Sequence, residues 1–180
     1  MKRTLAVAVI ACLAALSLAA QTAPKKVLTG KDIDVFVANF DKIEEELEAL
    51  GDKYDDYFKT EIEPEDGQMP SPGKTIALMR AKEVPAEVKA VFKRYGLGDN
   101  GFEKLVVISA GFGALEMESA IKSQEQEYAE FPDMATYLET AKAQVAELKA
   151  SIHKDDLSLI SSRADELRVF FADESEESDE

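Results

Sequence analysis

Phe102-Glu103-Lys104-Leu105-Val106-Val107-Ile108-Ser109-Ala110-Gly111-Phe112-Gly113-Ala114-Leu115 is apolar on nearly every side when wound at 3.6 residues per turn. The uncharged run 105–115 holds 11 residues. A bilayer needs about 20 residues in a helix, so this one is read as a buried central helix. Ser109, Gly111 and Gly113 allow neighbours to approach its backbone closely. Val106-Val107-Ile108 is the nearest thing to a strand signal in the chain, and its flanks are helical. The later turns become amphipathic through Met117, Ile121 and Tyr128, and the helix is expected to end near Phe131-Pro132.

Two seams flank this helix. Ile33, Phe36, Phe40, Ile43, Leu47, Leu50, Tyr54 and Tyr57 recur at alternating intervals of 3 and 4, a helical stripe with Gly51 as an expected bend. Its start is marked by Thr29 as cap, Asp32 three residues on, and Leu28 and Ile33 at staple spacing. Glu44, Glu45, Glu48, Asp52 and Asp55 lie on the opposite face. Met134, Leu138, Ala141, Val145, Leu148 and Ile152 form the second seam. Its phase breaks at His153-Lys154-Asp155-Asp156, and a shorter last helix carries Leu157, Ile160, Ala164, Leu167 and Phe171.

Between the first seam and the central helix, residues 59–71 read as a polar loop, and Ser71-Pro72 as a cap followed by proline at the first helical position. A short helix runs over Ile76 and Met79 to about Glu83. A second starts after Pro85, presents Val88, Val91, Phe92 and Tyr95 on one face, and stops at Gly96. Leu97 and Phe102 have staple spacing if Gly98 caps the central helix. The expected fold is therefore all-α: an elongated helical bundle of three long helices, a shorter C-terminal helix and two short connecting helices. It occupies residues 29–172, after a linker over 21–28 and before an acidic tail, 173–180, whose composition predicts disorder.

Residues 1–20 have a different character. Met1-Lys2-Arg3 is basic, Leu5–Leu18 is apolar or small, and Ala19-Ala20 offers a small-residue exit, the order of a secretory signal peptide. Cleavage after Ala19 or Ala20 predicts a periplasmic or secreted protein. Cys12, the sole cysteine, has too few residues before it and too many apolar ones after it for a lipid-modified cysteine. It reads as part of the apolar run, although lipidation there would place the protein on a membrane. Without the leader the chain has no thiol, so a disulfide, a thiolate metal site and a cysteine nucleophile are excluded.

Charge narrows the partners. The chain holds 21 basic and 36 acidic residues, and loss of Lys2 and Arg3 takes the net charge from −15 to −17. Nucleic acid and anionic membrane are not expected, because both require a basic surface. His153, the only histidine, reads as an exposed residue at a helix C-terminus, where the dipole favours it. One histidine supports neither an imidazole zinc site nor a triad with a serine motif. The acidic run from Glu61 to Asp66 misses the spacing of a calcium loop. No catalytic residue, metal or cofactor is assigned.

Two surfaces remain. Ser109, Gly111, Phe112, Gly113 and Met117 form a candidate apolar ligand pocket beside the central helix, against the alternative of a filled core. Lys89, Lys93, Arg94 and Tyr95 form the one modestly basic region, a candidate contact for an acidic partner, against the alternative of pairing with the acidic first helix. The expected function is a non-catalytic interaction or binding protein of the envelope with a protein partner. A small apolar-ligand or metal carrier and a carboxylate-based hydrolase of envelope polymers stand as the other readings.

Overall fold

The computed structural model describes residues 24–51, 71–127 and 132–177. Among these the chain forms seven helices and no strand. They are α1 (Gly30–Glu48), α2 (Pro72–Ala81), α3 (Ala86–Arg94), α4 (Gly101–Glu127), α5 (Pro132–Ala150), α6 (Lys154–Ser162) and α7 (Ala164–Glu177). The all-α bundle follows from the sequence as expected. Tyr54, Tyr57, residues 59–70 of the expected polar loop and the expected signal peptide lie outside the described residues.

α4 is the hub and packs against α1, α2, α3, α5 and α6. It buries Phe102, Val106, Val107, Ile108, Phe112, Ala114 and Ile121, as a helix that is apolar nearly all round must. Leu28, Ile33, Phe36, Ile108, Ile160 and Leu167 are the fully buried centre of one cluster, which joins the N-terminal segment to α1, α4, α6 and α7. Phe112 stacks on Phe171 at 5.0 Å, and Phe36 meets Phe170 edge-on at 5.3 Å. A second cluster, with Ile43, Val88, Phe92, Leu97 and Phe102, joins α1, α3 and α4. The third is small: Ile121, Leu138 and Val145, between the outer halves of α4 and α5.

The caps show how local sequence sets the element ends. Asp32 accepts from the Thr29 N–H at 2.8 Å and from its hydroxyl at 2.6 Å, closing the expected box. At the end of α3, the Leu97 N–H reaches the Phe92 carbonyl at 3.0 Å and the Gly96 N–H reaches that of Lys93 at 3.1 Å. This is the paired C-terminal motif that needs a left-handed residue, and Gly96 has φ +90. Lys104 ties both ends together by donating to Asp32 Oδ1 at 2.7 Å and to the Leu97 carbonyl at 2.8 Å.

Four boundaries differ from expectation. α1 stops at Glu48 and Gly51 has φ +75, so this glycine marks a turn and not a bend within a continuing helix. α4 begins at Gly101, which puts Asn100, not Gly98, ahead of its first turn. The last helix is two helices broken at Arg163, whose φ of −117 interrupts the spiral. The break is a single residue, so the apolar spacing carries across it unchanged. Arg163 is held there by Asp34 of α1 at 2.6 Å and Glu166 at 2.5 Å. Finally, α7 runs through Asp173–Glu177, where disorder was expected, because glutamate is a good helix former and the helix is already started by packed turns.

His153 also stands at the other kind of helix end. It is the N-cap of α6, and its Nδ1 accepts the Asp155 N–H at 3.1 Å. The role requires a ring nitrogen without a proton, the opposite of a dipole-stabilised cation. Three residues on, Asp156 is fully buried. Its carboxylate accepts the Val27 N–H at 2.9 Å and the Leu28 N–H at 3.0 Å, across 129 and 128 residues of chain.

Replacing Asp156 with alanine leaves two donors without acceptors, and a cost of about 2–6 kcal/mol follows from the usual penalty of roughly 1–3 kcal/mol each. Urea unfolding should show a lower midpoint with unchanged slope. Asp32 titrates below its ordinary value of 3.8: burial alone raises it, but the hydrogen bonds from Lys104 and Thr29 outweigh that. Its contribution to stability is therefore full above pH ~4 and lost as pH falls through the lowered folded value. Lys104→Met should destabilise the protein by roughly 3 kcal/mol at pH 7, and should shrink the loss of stability between pH 5 and 2 in an acid titration of the unfolding midpoint.

Candidate functional site

The outer halves of α4 and α5 form an antiparallel hairpin with a ladder of ion pairs. Lys149 meets Glu118 at 3.0 Å and Lys142 meets Glu125 at 2.5 Å. The rungs are one heptad apart on both helices, which keeps them on one face. Between them lies a shallow groove of about 290 Å³, with Ile121, Val145 and Ala146 as its apolar floor and Lys122 on its edge. Ile121 and Val145 belong to the small third cluster, while Ala146 is exposed.

Electrostatics on the rim is balanced. Lys149 holds the Glu118 carboxyl below its ordinary range. Glu125 and Glu139 together push Lys142 up to about 12. A carboxylate shifted downward in this way is one engaged in charge pairing. Groups of three or more His, Cys, Asp or Glu able to hold a metal ion do not occur among the described residues. No described helix is long and apolar enough to cross a membrane.

The five residues of the expected pocket do not converge. Successive helical positions differ by about 100°, so Gly111 and Gly113 face nearly opposite directions. Gly111 is buried, and a Cβ there would stand 2.4 Å from Ile160 Cδ1. Phe112 is packed on Phe171. Ser109 and Met117 are exposed, and a Cβ on Gly113 would meet nothing within 4 Å. This region of α4 is a filled core on one side and open surface on the other.

α1 neutralises part of the basic region. Glu46 accepts from the Tyr95 hydroxyl at 2.8 Å and pairs with Arg94. These contacts lower the Glu46 carboxyl, Arg94 first and Tyr95 second, and raise the Tyr95 hydroxyl. Lys93 pairs with Asp99 at 3.2 Å, and Lys89 is half-buried. Pairing with the acidic first helix therefore describes Arg94 and Tyr95, while Lys93 pairs within the turn that precedes α4.

Several polar residues that organise the fold carry no local signal. Arg80 donates to Glu103 at 2.7 Å and to the Ser151 carbonyl at 3.1 Å, fastening α2 to α4 and to the end of α5. Asp156 and Lys104 act over still longer separations. Comparison with known protein families, curated proteins and solved structures finds no match to this chain.

The packing at α4 gives a paired prediction. Gly111→Ala should destabilise by about 1–3 kcal/mol through overpacking against Ile160. Gly113→Ala should be neutral or stabilise by up to about 1 kcal/mol, since alanine is the better helix former and meets no neighbour. Thermal unfolding of both variants distinguishes this filled core from a ligand pocket, in which the first change would be tolerated.

Proposed function

We propose that this is an exported, non-catalytic binding protein, and that the groove between α4 and α5 receives a helix of a protein partner. The single observation that carries the reading is the two-rung ladder, with an apolar strip between Glu118–Lys149 and Glu125–Lys142 in which Ala146 is exposed and Ile121 and Val145 form the buried floor. An amphipathic helix laid along such a groove covers the strip with one or two side chains and meets the charged rungs with polar flanks. Met117 and Tyr137, 39% and 62% exposed on the same two helices, add apolar surface to the hairpin. The size of the groove favours a side chain over a cargo. At about 290 Å³ it stands at the lower edge of cavities that enclose a small ligand, and it is open.

Export rests on the basic, apolar and small-residue order of residues 1–20. Pulse-labelled cells of the source organism should show a precursor converted into an envelope form lacking its first 19 or 20 residues.

Ala146→Glu tests the groove. Its side chain is exposed, so the fold should keep its unfolding midpoint while a charge enters the apolar strip. Capture of a crosslinked envelope partner should fall at least tenfold, about 1.4 kcal/mol of binding. Equal capture by the variant, or no partner captured by either protein, overturns the proposed use of the groove.

A further inference from the structure

Asp156 combines full burial with an anion whose described contacts are neutral. Among the described residues it accepts only from the backbone N–H groups of Val27 and Leu28, and its position in the first turn of α6 adds the helix dipole. A buried charge compensated in this way remains costly beside one that meets a cation. The nearby lysine, Lys26, reaches Asp155 at 3.7 Å with both side chains about half exposed. Yet the atom that touches Asp156 Oδ2 is the nitrogen of Val27, directly after Lys25-Lys26, and both lysines are exposed.

We propose that the Lys26–Val27 peptide bond is a processing site for a protease specific for basic residues, and that the α-ammonium group so released on Val27 pairs with Asp156. Water adds across the amide: Lys26 departs with the new carboxylate, and the Val27 nitrogen takes up a proton and becomes a cation. That nitrogen already lies 2.9 Å from the carboxylate, so no rearrangement of the folded chain is needed to form the pair. Leu28, 1% exposed in the main cluster, holds the trimmed end in place. Because Val27 and Leu28 are engaged in the closed state, cutting occurs while the segment 24–29 is undocked, and redocking then traps the trimmed form. The segment is thus a latch that proteolysis tightens. It extends the maturation expected of an exported chain, but its chemistry stands without export.

The test uses three proteins made directly: residues 21–180, residues 27–180 with a free amine on Val27, and the same 27–180 chain N-acetylated. The free-amine form should melt about 3 °C or more above the other two at pH 6.5. An amine whose pKa is raised on folding stabilises fully below its unfolded value near 8 and loses that effect as pH rises through the folded value, so the gain should vanish by about pH 10.5. Asp156→Asn in the free-amine chain should remove it at every pH. Trypsin acting on residues 21–180 should release the fragment ending at Lys26 and leave Val27 as the new N-terminus of the resistant product. The proposal fails if the free-amine chain melts at or below the acetylated one, if its gain persists at pH 10.5, or if Lys26–Val27 survives digestion. Failure of export alone would appear as an uncleaved leader in cells and would leave these melting points unchanged.

Discussion

Asp156 closes the fold by joining residues near opposite ends of the chain. Its two acceptor oxygens hold consecutive backbone donors, so the segment before α1 is fixed both in position and in direction. Leu28 is thereby set into the cluster formed by α1, α4, α6 and α7. Much else depends on that placement. With Leu28 anchored, Thr29 caps α1, Asp32 closes the cap and receives Lys104, and Lys104 fixes the turn between α3 and α4. A chain of contacts therefore runs from the start of α6 through the N-terminal segment to the far side of the hub helix.

The parts of the structure that were legible in the sequence are those set by neighbours within a few turns. The apolar run at 105–115 made α4 central, the 3-and-4 spacing placed α1 and α5, and Ser71-Pro72 and Gly96 marked their helix ends. What stayed hidden depends on partners far away. Asp156 looked like part of a polar break because its donors are 128 and 129 residues distant. From its neighbours alone His153 reads as the end of the preceding helix, whereas its ring nitrogen caps the start of the next one. Periodicity could not reveal the break at Arg163, because a single interrupting residue keeps Ile160, Ala164, Leu167 and Phe171 in phase.

The candidate site was partly visible for the same reason. The α5 seam contains Leu138 and Val145, and both proved buried in the small third cluster. Which charged residues border that seam, and which helix they face, follows only from the antiparallel register of α4 and α5. The pocket expected at Gly111 and Gly113 failed on helix geometry, since residues two apart cannot line one wall. Two glycines close in sequence announce close approach by neighbours, and Ile160 is the neighbour at Gly111. The shallow groove arises instead farther along α4, where Ile121 meets α5.

The scarcity of cations gives the charge distribution its logic. With 21 basic residues against 36 acidic ones, a lysine or arginine contributes most where it joins two elements. Arg80 joins α2 to α4 and α5, Lys104 joins α4 to α1, Arg163 joins the α6–α7 break to α1, and Arg168 reaches Glu116 of α4 at 2.8 Å. Those that are exposed add little energy individually. Their positions nonetheless draw acidic helices together where like charges would separate them, and leave the surplus of carboxylates facing water. The α4–α5 hairpin obeys the same rule, with Lys142 and Lys149 each facing a glutamate across the groove. A partner entering there meets a rim already near neutrality, so it is the exposed Ala146 above the buried Ile121 and Val145, and not a net field, that would draw it in and set its register.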